Sequence, residues 1–170
     1  DNMLVYAQWA EGFRLGGLNL FPISDTTRTR CDVDNDGILD GTSAPLDEDF
    51  RSDSLENLEL GVKLTLMENR LQVNGSIYQI NWEGVPVTVR SPTCFFPLQT
   101  NAGESVIRGV EIETEFYLMQ DLRIGVGGSY KEGKLSEDAP FLGAVDGDRL
   151  PGSADFSAYA SLQYDFELGG

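Results

Sequence analysis

The 170 residues contain no histidine. That removes the serine–histidine and cysteine–histidine catalytic pairs, the histidine zinc sites and the commonest general base, so an enzyme is not expected. Basic residues are scarce too. Twelve of them against 28 acids leave a net charge of −16, which repels phosphate backbones and argues against nucleic-acid binding. Long apolar runs are missing: no stretch reaches the ~18 residues of a transmembrane helix. The opening Asp1-Asn2-Met3 also lacks the charged-then-apolar pattern of a signal peptide. A membrane β-strand, however, needs only ~9–11 alternating residues, and a long hydropathy window overlooks it.

The 19 glycines, 41% apolar residues and 10% aromatics fit a folded β-rich chain rather than an acidic disordered tail or a helical bundle. The length suits one domain. Period-two alternation then marks the strands. Leu58, Leu60, Val62, Leu64 and Leu66 alternate with Glu59, Gly61, Lys63 and Thr65. A turn at residues 67–70 leads into Leu71, Val73 and Ile77, which predicts an antiparallel hairpin. After Ile77 the apolar positions move to Tyr78, Ile80 and Trp82, where a β-bulge or a change of environment is expected. A third strand spans roughly 105–118, with Val106, Val110, Ile112, Phe116 and Leu118 opposite Glu111, Glu113 and Glu115. It turns at 119–121 into a strand with Leu122, Ile124, Val126 and Tyr130 on one face. The last strand, 153–166, alternates from Ala154 to Phe166, and residues 3–13 form a first strand of ambiguous facing.

Tight turns at 67–70 and 119–121 alternate with long polar segments at 16–55, 84–103 and 133–152. Compact soluble domains avoid structureless loops of that length. Outer-membrane barrels place short turns on the periplasmic side and long loops outside. Alternation alone does not separate a wet-lumen barrel wall from a soluble β-sandwich.

A resemblance does separate them. The run from Tyr6 to Asn19, which includes Glu11-Gly12-Phe13-Arg14 and Gly16-Gly17-Leu18-Asn19, resembles a strand end of TonB-dependent outer-membrane receptors. The run Glu56-Asn57-Leu58-Glu59-Leu60-Gly61-Val62-Lys63, then Asn69 to Asn74, then Tyr78 to Trp82, follow in the family's order. Arg108-Gly109-Val110-Glu111-Ile112-Glu113 and Leu150-Pro151-Gly152 are similar to later family segments, with Ser153-Ala154 in place of the usual proline. The resemblance implies an all-β antiparallel up-and-down meander of about six strands. Such a meander is a segment of a transmembrane β-barrel with short periplasmic turns and long extracellular loops. Residues 1–170 would be a partial barrel domain, without the plug domain or TonB box of the family. The parent protein would sit in bacterial outer-membrane lipid and take up ferric siderophores, or similar scarce large solutes, with TonB supplying energy through parts outside this chain. Six strands leave two open edges, so an isolated fragment is expected to be no pore and to self-associate. The competing reading is a soluble, secreted, calcium-binding β-sandwich or adhesion module.

Three constellations could carry chemistry. Asp32, Asp34, Asp36 and Asp40 occupy positions 1, 3, 5 and 9 of a calcium loop; Gly37 stands at the sixth position and Ile38 could offer a carbonyl at the seventh. Ser43 replaces the usual glutamate at position 12, and Asp47, Glu48 or Asp49 could complete the shell. The plainer reading is an acidic, solvated loop, since residues 25–56 hold ten acids against three arginines. Cys31 and Cys94 lie in loops on one side of the sheet, so a disulfide is expected, and closing a loop of this length is worth about 3–5 kcal/mol. Glu111, Glu113 and Glu115 line one strand face, which suits lumen solvation better than acid–base catalysis. Tyr78 and Trp82 are expected in an interfacial aromatic girdle. Arg28, Arg30, Arg90 and Arg149 could meet an anionic chelate, but offsetting local acids is the better account of them.

Overall fold

The computed structural model describes residues 1–19, 30–150 and 154–166. Arg28, Pro151, Gly152 and Ser153 lie outside these residues. The strands are β1 (Asn2–Arg14), β2 (Gly17–Leu18), β3 (Asp49–Phe50), β4 (Asp53–Leu66), β5 (Leu71–Glu83), β6 (Pro86–Arg90), β7 (Pro97–Asn101), β8 (Glu104–Met119), β9 (Leu122–Leu135) and β10 (Phe156–Tyr164). Six of them form one antiparallel sheet in the order β1-β4-β5-β8-β9-β10. This is an up-and-down meander in which each main strand pairs with the next. Two ribbons, β2–β3 and β6–β7, sit within the long connections.

Residues paired across strands share a face, so the register sorts the side chains. One face carries Val5, Val62, Leu60, Ile77, Val110, Ile112, Val126, Ala160 and Leu162. Large apolar side chains there stay exposed, Leu60 at 50% and Leu162 at 71%. Among the described residues no second sheet covers this face. A soluble sandwich packs such a face against a partner sheet. The opposite face carries Tyr6, Glu59, Lys63, Asn74, Glu111, Glu113, Ser129 and Ser157.

The parity change after Ile77 is no bulge. β5 holds continuous register with β4 and β8 from Leu71 to Glu83. What changes is the environment. On the apolar face the row Ile77–Val110–Tyr130–Phe156 is followed by the row Leu58–Gln79–Arg108–Glu132, and then by Glu56–Asn81. Above that level the outer face turns largely polar, with Asn81, Glu132 and Lys134 on it beside Val106 and Phe13, and the inner face gains Ile80, Trp82, Ile107 and Leu135. A rigid period-two strand crossing from hydrocarbon to water must swap its apolar side in this way. Tyr78 and Trp82 accordingly lie on the inner face, opposite Glu59 and Leu55 on β4. They do not form the expected girdle. Trp9, Tyr130 and Phe156 occupy the upper edge of the apolar face instead, and Tyr164 and Phe166 stack near its lower edge with ring centroids 6.2 Å apart. The observed irregularity is a register shift between Tyr117 and Met119 in the β8–β9 pair, beside the short turn.

The β4–β5 turn is tight. Met67, Glu68 and Asn69 all take positive φ, and the Arg70 amide closes onto the Met67 carbonyl at 3.1 Å. Arg70 then reaches across to donate to the carbonyls of Tyr117 and Leu118 at 3.1 and 2.8 Å, tying this end of β5 to β8. Among the described residues no helix is long and apolar enough to cross a membrane, which says nothing of crossing by strands.

Candidate functional site

At the other end of the sheet the long connections fold together. Leu39, Ala44 and Leu46 from the first loop pack with Val89 and Leu98 of β6 and β7, and Phe141 of the third loop packs against them. A second cluster joins Ala102, Leu135 and Ala139, with Leu150 beside it. Polar side chains stitch the same segments. Asn19 donates to the carbonyls of Asp47 and Gln99 and accepts from the Gln99 amide at 2.8 Å. Asn101 accepts from the Arg51 amide at 2.8 Å and donates to the Arg51 and Gly84 carbonyls. Each amide side chain imitates a strand edge, satisfying backbone groups that the irregular chain would otherwise leave unpaired. The sequence pattern marked Asn19 only as the end of the Gly16-Gly17-Leu18-Asn19 motif and gave no sign of Asn101 beyond its place near the end of a polar segment.

Cys31 and Cys94 are joined in a disulfide with Cα atoms 5.4 Å apart, and the bond closes a span of 63 residues. Beside it the chain makes the acidic turn. Asp32 is buried, and its carboxylate accepts from the amides of Asp36 and Gly37 at 2.9 and 3.0 Å. Gly37 takes φ +82°, a left-handed conformation that side chains disfavour. Carboxylate oxygens of Asp32, Asp34 and Asp36 lie within 4.8 Å of one another. Asp40 is not in that group and accepts instead from the Val33 amide at 3.1 Å. Ile38 is bound into the turn by its amide, which donates to Asp36 at 2.8 Å. Asp47, Glu48 and Asp49 are not among the grouped carboxylates either; Asp47 and Asp49 line a separate concavity of about 290 Å³ with Phe50, Arg51, Asn101 and Phe141.

Two of the loop cations have protein partners. Arg149 pairs with Asp155, and Arg90 donates to the Phe95 carbonyl at 3.1 Å. Phe95 sits exposed at the tip of the second loop with φ +59°. That is an uncommon backbone for an aromatic residue and costs on the order of 1–3 kcal/mol.

Below the cap, tyrosines roof glycines on the inner face of the sheet. The Tyr6 ring lies over Gly61, where a Cβ would stand 2.3 Å from it, and its hydroxyl donates to Glu59 at 2.6 Å. Tyr78 covers Gly109 and Tyr159 covers Gly127 in the same way, and Tyr159 donates to Glu113. Glu111 and Glu113 line the same open groove as Tyr6, Glu59 and Lys63. The pattern is readable in hindsight as tyrosine and glycine facing each other across strands on the polar parity. At the junction of wall and cap, Asp53 accepts from Arg14 and from the Trp82 indole, each at 2.6 Å. The Arg14 guanidinium holds the Asp53 carboxyl below its ordinary range, against the opposing effect of burial.

An apolar outer face, a polar inner face and a folded cap at one end define one stretch of barrel wall. A family model described as "TonB dependent receptor-like, beta-barrel" matches residues 1–170. The chain belongs to that family. Among solved structures it is similar to the ferric yersiniabactin uptake receptor FyuA from Yersinia pestis, with a TM-score of 0.66 and 18% identity over 99% of this chain. It spans 21% of the length of that receptor.

Proposed function

We propose that this chain is part of the wall and outer cap of an outer-membrane receptor that takes up ferric siderophores or similar scarce, large solutes. Energy would come from TonB through parts of the parent protein outside this chain. The observation that carries the reading is the inversion of faces along β4, β5 and β9: apolar outward from the short turns up to the row Leu58–Gln79–Arg108–Glu132, then polar outward beside a folded cap. FyuA is a receptor for ferric yersiniabactin uptake, and the shared fold makes iron chelates the first solute class to test. In this reading the cap presents Phe95 and the concavity bounded by Phe50, Arg51 and Phe141 to the outside. Arg90 and Arg149 already have protein partners, which makes them poor anchors for an anionic chelate. The test is uptake of ⁵⁵Fe-labelled chelates by iron-starved cells with and without the parent gene, and with and without TonB. Loss of uptake of one chelate in both deletions supports the proposal. Unchanged iron uptake in both, with loss of some other large solute, overturns the siderophore part.

We further propose that Asp32, Asp34 and Asp36 hold a calcium ion. Three carboxylates meet, and both Asp32 oxygens keep a lone pair after accepting their backbone hydrogen bonds. Calcium asks for six to eight oxygens. With Asp40 outside the group, water must supply the remainder, so binding would be weak.

A further inference from the structure

We infer that the described parts of the three outer loops act as one preformed body, so that a solute meets a ready-made surface there rather than arms closing one at a time. Every buried apolar residue among the described ones belongs to the loops or to the strand ends beneath them: Leu39 and Leu46 in the first, Val89 and Leu98 in the second, Leu135 and Ala139 in the third. The membrane-spanning part of the wall has no such core. It is one sheet thick, with both faces open. The loops therefore contain the chain's packed interior, and that interior is shared among them. Leu98 meets residues of the first loop and Phe141 of the third in one cluster. Val87 and Phe141 pack against both clusters and so join them.

Four further ties run between the first two loops. The disulfide fixes the first loop to the second. The Ser91 hydroxyl, fully buried, donates to the Asp40 carbonyl at 3.0 Å, and Asn19 and Asn101 clamp the two loops at their bases. The third loop is tied down separately, by the Ser136 amide donating to the Glu104 carbonyl at 3.0 Å and by Leu150 packed over Gly133. Moving one loop alone would tear the shared core and leave buried groups unpaired, a cost that moving the cap as a unit avoids. This deepens the receptor reading by stating how its outer surface is organised. The coupling itself is measurable without any solute, so it can fail or stand independently of what the receptor transports.

Amide hydrogen exchange on the intact parent receptor, in detergent and free of solute, tests it. In the wild type, segments 37–46, 85–102 and 139–147 should exchange slowly and as one class. Leu98→Ser lies in the second loop only, yet it should speed exchange in all three segments while leaving 58–66 in the wall unchanged. The paired substitution Cys31→Ser with Cys94→Ser should accelerate the first two segments together. The acceleration should be at least about tenfold and below the full closure entropy of the span, because β4 and β5 between the two cysteines stay folded. Should that variant fail to assemble, reduction and reoxidation of the folded wild type gives the same reading. Acceleration confined to 85–102 in Leu98→Ser, or fast exchange of 37–46 in the wild type, would overturn the inference.

Discussion

Arg14 and Asp53 meet edge to edge across the β1–β4 pair: Nη2 donates to Oδ2 at 2.6 Å and Nε to Oδ1 at 3.0 Å. The Asp53 side chain is 4% exposed, and Trp82 donates to the same carboxylate from β5. One carboxylate thus binds three strands at the level where the wall meets the cap. Asp53→Asn should cost about 1.5–3 kcal/mol, the range for hydrogen bonds to a charged group. The folded carboxyl is depressed, so its stabilisation is present above the ordinary carboxylate range near pH 4 and is lost as pH falls through the lower folded value. Melting temperatures measured against pH should differ between wild type and variant at pH 7 and converge in strong acid.

The tyrosine–glycine pairs on the inner face predict a steric result. A methyl group on Gly61 must push the Tyr6 ring away and break its bond to Glu59. Gly61→Ala should destabilise the barrel by about 1–3 kcal/mol, the range for overpacking. Tyr6→Phe keeps the ring over the glycine and should cost less. Heat-induced unfolding of the receptor on a denaturing gel ranks the two.

The assignment of faces predicts opposite outcomes for neighbouring residues on β8. Ile112→Arg places a charge on the outward apolar face and should cost about 2–4 kcal/mol near the bilayer midplane. Glu113→Gln changes the inward face, where water solvates either side chain, and should leave assembly near wild type. Chemical unfolding from lipid vesicles measures both. Equal costs would reverse the reading of which side meets lipid.

For the acidic turn, titration calorimetry of the intact receptor with calcium should show weak binding, in the ~0.1–1 mM range of extracellular modules. Asp34→Asn with Asp36→Asn should abolish it. Asp40→Asn should not, because that carboxylate bonds the Val33 amide rather than joining the cluster.

The short and long connections, the two hairpins and the even-numbered apolar positions from Leu58 to Leu66 were all legible in the chain, because they are local. Alternation is set by strand geometry, and turn length by the residues between strands. The sequence by itself therefore determined an antiparallel meander with one apolar and one polar face. Tertiary structure decided the rest. It showed that Tyr78 and Trp82 look inward, because unbroken register across β4, β5 and β8 makes the environment, and not the strand, change after Ile77. It drew three separated polar segments into one core through Leu39, Leu98 and Phe141, and it set the Asp40 carboxylate on the Val33 amide, outside the Asp32–Asp34–Asp36 group. The members of that core stand roughly 40 to 100 positions apart, a relation that no local pattern encodes, since which side chains meet depends on how the loops pack once the sheet has set their starting points.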